Sequence, residues 1–106
     1  MATLSTHQLL SHMRGLLQAQ NYIHVAATRS VSKNVPQARQ FLVEAKKDMN
    51  LAKEALDHNT DPASVAVAML KMFYEQLEYN WNEADNEIKV MERAHKVIAE
   101  ANVKRN

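Results

Sequence analysis

No cysteine occurs in the 106 residues. Disulfides, thiolate zinc sites and cysteine nucleophiles are excluded together, and a reducing compartment is the natural expectation. Glycine occurs once and proline twice. A β-sheet protein needs many tight turns, and tight turns draw on these two residues, so their scarcity points to few, long helices. Long apolar runs are missing as well. The longest, residues 65–70, has six members, against the ~20 that cross a bilayer. The opening Met1-Ala2-Thr3-Leu4-Ser5 has no basic stretch followed by an apolar one, so no secretory signal is read there, no membrane partner is expected, and the expected location is cytoplasmic.

A large charge of either sign is also lacking, the formal net charge being +1. No global electrostatic footprint for nucleic acid exists. The charges are nevertheless segregated. Residues 1–43 contain Arg14, Arg29, Lys33 and Arg39 and no acid, whereas the stretch between Lys71 and Lys89 holds Glu75, Glu78, Glu83, Asp85 and Glu87 and no base. The simplest reading sets these regions against each other, within the fold or across an oligomer. Catalytic signatures are absent: no glycine-rich phosphate loop, no Gly-x-Ser-x-Gly turn, and no acid beside His7 or His12 to complete a triad. A non-enzymatic protein is expected.

What the chain does have is apolar content, 46% of residues, enough for a single 106-residue domain with one core. Ser5 and Gln8 have the spacing of a capping box, in which hydroxyl and amide satisfy free backbone N–H groups. They open a first helix over about residues 6–30, with Leu9, Met13, Leu16, Ile23 and Ala27 on one face and Gln20 interrupting it. Gly15 sits inside this helix at a cost of ~1 kcal/mol against alanine; close helix approach and no packing role at all are both consistent with it. Pro36 suits the first turn of a second helix, because it has no N–H to leave unpaired. That helix covers about 36–57. Its positions Ala38, Leu42, Ala45, Met49, Ala52 and Leu56 alternate by four and three, the spacing of a coiled-coil-like seam, and the alanines favour close antiparallel packing.

Asp61 and Pro62 read as N-cap and first residue of a third helix. The register Ala63, Val67, Leu70, Tyr74, Leu77, Trp81, Ala84, Ile88, Met91, His95 and Ile98 then keeps the same alternation. One helix of about 40 residues is the simplest account, roughly 60 Å long. The competing account breaks it near Asn80, where Asn80 and Glu83 have N-cap spacing, and yields an up-down four-helix bundle. The continuous helix is preferred, since a register that passes unbroken through a turn is a coincidence. The expected fold is therefore all-α: an antiparallel helical hairpin packed on the N-terminal half of a long third helix.

Three sets of functional residues follow. Met72, Tyr79, Val90 and Val97, at steps of 7, 11 and 7, form a second apolar stripe opposite Leu77 and read as a partner-binding face. Ile88, Met91, His95 and Ile98 would extend past the hairpin and read as the seam of a homodimer. The resulting function is a protein-interaction, adaptor or inhibitor module acting through a helical surface as a homo-oligomer. The alternative is an oligomeric nucleic-acid or anionic-ligand binder using Arg14, Arg29, Lys33 and Arg39, although four dispersed cations are few for strong phosphate binding. Glu92 and His95 have a metal-ligand spacing, and His12 and His58 would join them at one end of a four-helix bundle. Diiron chemistry needs two such pairs, and the chain has one. No metal or cofactor is expected, and His95 reads instead as a polar register or pH-sensing residue in the seam.

Overall fold

A computed structural model describes residues 5–31, 34–58 and 64–105, with side chains described except at 29–31 and 104–105. Three helices follow one another: α1 (Thr6–Val31), α2 (Val35–Asp57) and α3 (Val65–Arg105). The chain forms the antiparallel hairpin on a long third helix, and α3 runs through Asn80 without a break. The four-helix alternative is thereby set aside. Trp81 explains part of this: its indole Nε1 donates to the Leu42 carbonyl oxygen at 2.8 Å, which holds the helix against α2 just where a turn would have to depart.

Local chemistry accounts for the helix starts. Ser5 N donates to Gln8 Oε1 at 3.0 Å and Gln8 N to Ser5 Oγ at 3.1 Å, the reciprocal pair of a capping box. Asn34 precedes α2, and Pro36 lies in its first turn. The start of α3 departs from expectation. Val67 N donates to Ser64 Oγ at 3.2 Å, so Ser64 caps a helix beginning at Val65; Asp61, Pro62 and Ala63 lie outside the described residues.

The core is one seam shared by all three helices. From α2 it takes Val35, Ala38, Leu42, Ala45, Met49 and Ala52, all buried. From α3 it takes Leu70, Tyr74, Leu77, Ala84 and Ile88, and from α1 Leu16, Ala19, Ile23 and Ala26. Ala19 and Ala26 replace part of the expected α1 stripe. Gln20 stays exposed because Ala19, one residue back, turns to the seam in its place. Alanines on every helix permit the close approach, and Leu and Met fill the volume between them. Gly15 plays no part in this approach: a Cβ there would meet nothing within 4 Å.

Cross-helix pairs fix the directions. Tyr22 stacks on Phe41 with ring centroids 5.9 Å apart, joining α1 to the antiparallel α2. Lys46 Nζ sits 4.5 Å from the Trp81 ring centroid, joining α2 to α3. The hairpin is shorter than α3, so α3 outruns it. The Cα envelope is accordingly long and thin, 65 × 19 × 15 Å. No helix among the described residues is long and apolar enough to cross a membrane.

Candidate interaction surface

The point where α3 leaves the hairpin is held by charge. Arg39, on the first turns of α2, donates through Nη1 to Asp85 Oδ1 at 2.5 Å and through Nη2 to Glu92 Oε1 at 2.8 Å. Its Nε reaches Glu92 Oε2 at 3.3 Å. Lys89 Nζ closes on the other Asp85 oxygen at 2.9 Å. Burial alone would raise the Asp85 carboxyl, but the hydrogen bonds and charges of Arg39 and Lys89 outweigh it and hold the group below its ordinary value. The hydrogen bond from Arg39 to Glu92 leads the causes that raise the guanidinium pKa, so Arg39 stays charged.

This cluster corrects the reading of Arg39 as a ligand-binding cation. It is committed to two internal carboxylates, one of them in the acidic stretch, so at this point the basic and acidic segments meet within the fold. Arg14 is exposed. The side chain of Arg29, and Lys33 altogether, lie outside the described residues.

Ile88 needs a second correction. The seam reading placed it beyond the hairpin, yet it is 0% exposed and belongs to the core. The hairpin covers α3 further than its N-terminal half, because the Arg39 clamp sets Asp85 and Glu92 against the start of α2. Met91 is partly buried against the same core. From Glu92 to Val103 every residue is exposed. This projecting arm includes His95, which therefore occupies no seam within its own chain, and Ile98, 59% exposed.

The stripe opposite the core is open along the whole helix. Met72 is 69% exposed, Tyr79 62%, Val90 55% and Val97 63%. Ala68, Ala94 and Ala101 lie on the same face and are exposed too. Trp81 and Phe73 turn inward and pack on the core instead. Tyr79 thus sits on the outer face, with Glu75 and Glu83 beside it, and the hairpin packs elsewhere. Sequence reading named the four large residues of this face but passed over its alanines; the spacing Ala68-Met72 and Val97-Ala101, four residues each, was the available signal.

Tyr74, on the inner face, donates its hydroxyl to Glu78 Oε2 at 3.2 Å. Burial and the Glu78 charge push its pKa up to about 12. A shallow groove between α1 and α3 is lined by Ile23, Ala27, Leu77 and Ala84 with a polar rim of Gln20, His24, Asn80, Glu83 and Glu87. Among the described residues no three His, Asp or Glu side chains gather closely enough to hold a metal ion.

Comparison with known proteins found no matching family model, no matching curated protein and no matching solved structure.

Proposed function

We propose that this chain is a non-enzymatic interaction module of the adaptor or inhibitor kind, which works through α3 and self-associates by way of its projecting arm. The observation that supports the reading is the arm itself. Residues 92–103 are helical and exposed on all sides, yet they carry Val97, Ile98 and Val103 at 63%, 59% and 75% exposure. Apolar side chains repeated along one helix leave favourable burial unused, at ~25 cal/mol per Å² of apolar surface. A partner helix recovers that burial, and a second copy supplies the same surface by symmetry. The outward Tyr79 stripe, apolar with an acidic border, has the arrangement usual at interaction surfaces.

The test is the mass of the protein in solution. Sedimentation equilibrium or light scattering at tens of micromolar should give an oligomer. The double substitution Val97→Glu with Ile98→Glu places charge on both apolar sides of the arm and should return the monomer, with helicity by circular dichroism unchanged. Ile88 is unsuitable for this purpose, since a charge in the core would unfold the chain. A wild-type protein that stays monomeric at 100 μM, well above the range where a micromolar dimer forms, would overturn the proposal.

A further inference from the structure

Along the outer face of α3 the four large apolar residues and the alanines at 68 and 101 are arranged symmetrically about the point between Ala84 and Asp85. Counting outward, Tyr79 mirrors Val90, Met72 mirrors Val97, and Ala68 mirrors Ala101; Glu83 mirrors Asn86. The six apolar members are all exposed. Nothing in the packing of one chain requires this symmetry, because the hairpin lies on the opposite side of the helix. A two-fold axis perpendicular to the helix accounts for it: each residue of one copy then faces its mirror position in the other, so apolar residues meet apolar ones.

We infer that the self-association proposed above, on which this inference rests, is an antiparallel pairing of two copies through the outer faces of α3, centred between Ala84 and Asp85. Tyr79 of each copy packs on Val90 of the other, and Met72 on Val97. The alanine pairs at both ends let the helices approach. The paired stretch, residues 68–101, is roughly 50 Å long at 1.5 Å per residue.

Charge selects the same direction. The N-terminal part of the face carries Glu75 and the C-terminal part Arg93, and both lie on the same flank of the helix. In the antiparallel pair Arg93 of one copy comes within one residue of the level of Glu75 of the other, and the pair is made twice. In a parallel pair the two-fold axis runs along the helices, so Glu75 and Arg93 of opposite copies fall on opposite flanks and at different levels, and neither ion pair forms. At the centre, the Asn86 amide is placed to donate to the Glu83 carboxylate across the axis. The centre is also the weakest part, since Glu83 and Glu87 of opposite copies share a flank there.

Disulfide trapping in the naturally cysteine-free chain tests the pairing directly. A disulfide needs Cα atoms within about 7 Å. Tyr79→Cys protein mixed with Val90→Cys protein should form a mixed disulfide dimer under mild oxidation, and so should Met72→Cys with Val97→Cys. Each single variant alone should not, because two copies of position 79 lie about 16 Å apart along the axis. Glu75→Arg and Arg93→Glu should each weaken the dimer by about tenfold, and the two changes in one chain should restore it; Glu87→Gln should tighten it. All of these are surface changes whose folding is checked by thermal melting. A dimer that crosslinks Tyr79→Cys to itself, or that forms mixed disulfides in neither pair, would refute the antiparallel register and leave self-association standing. A protein that never dimerises would refute both.

Discussion

Replacing Arg39 by Ala should destabilise the protein by about 2–3 kcal/mol, and the size follows from how unequally its partners are exposed. The Glu92 side chain is 41% exposed, so its half of the cluster contributes no more than ~0–1 kcal/mol after solvent screening. The Asp85 side chain is only 10% exposed. A charge-assisted hydrogen bond to a carboxylate in that position contributes about 1.5–3 kcal/mol, and its loss leaves Asp85 with Lys89 alone. Asp85→Ala removes the carboxylate as well as the bond and leaves Arg39 on Glu92, so it should cost less. A double-mutant cycle by urea unfolding should give a coupling of about 1–2 kcal/mol. The pH dependence has a definite sign. The folded Asp85 carboxyl lies below its ordinary value, and the unfolded one lies near ~3.9. The contribution is therefore complete above the unfolded value and is lost as pH falls through the folded one. In Arg39→Ala this acid-side loss should shrink. Additive single mutants, or an Arg39→Ala protein within ~0.5 kcal/mol of wild type, would refute the account and make the clamp an ordinary surface ion pair.

Three further outcomes can be checked with the same unfolding assay or with spectroscopy. Gly15→Ala should raise stability by about 0.5–1 kcal/mol, because alanine removes backbone freedom from the unfolded chain and its Cβ enters open space. Tyrosinate absorbance should contain a component with its midpoint near 12 that Tyr74→Phe abolishes; as this folded value is raised above the unfolded ~10, stability should decline as pH climbs between the two. Trp81→Phe should cost about 1 kcal/mol for the lost hydrogen bond to the Leu42 carbonyl, a substitution that keeps an aromatic ring under Lys46.

The α2 seam was legible because its positions alternate without exception from Ala38 to Leu56; those up to Ala52 are buried and Leu56 is partly buried against the same core. The same alternation carried α3 through Asn80, where local propensity argued for a break: packing of Trp81 outweighed the helix indifference of two asparagines. Helix boundaries were less legible. Ser64 was passed over as a cap, though its Oγ accepts from Val67 N at the start of α3, while Asp61 lies outside the described residues. Ile88 was misplaced for a different reason. Periodicity gives the face of a helix but not how far a neighbouring helix extends along it; that extent depends on where α2 begins, and hence on Arg39 reaching Asp85 and Glu92. Arg39 was misread for the same cause, since an ion pair between residues 46 positions apart leaves no local signal in the sequence. The exposure of Met72, Tyr79, Val90 and Val97 was legible, because residues opposite a well-defined core face have nowhere else to point.

The arm poses its own physical question, which is why the exposed residues beyond the Arg39–Glu92 pair should stay helical. An isolated helix of that length is marginal in water, because nucleation is costly. Here nucleation is already complete: the packed part of α3 up to Met91 supplies the first turns, and each further residue needs only propagation. Ala94, Lys96, Ala99, Glu100 and Ala101 propagate well. Propagation without tertiary contacts leaves a gradient, with amide protection high near Ile88 and declining toward Val103 with distance from the packed segment. Pairing would erase that gradient, since Val97 and Ala101 would then be packed on Met72 and Ala68 of the second copy. Hydrogen exchange measured at two concentrations separates the two states: at low micromolar protein the protection of residues 94–103 should fall off residue by residue, and at hundreds of micromolar it should rise by tenfold or more toward the level of the packed segment. Protection in the arm that is uniform and independent of concentration would contradict both the gradient and its removal by a second copy.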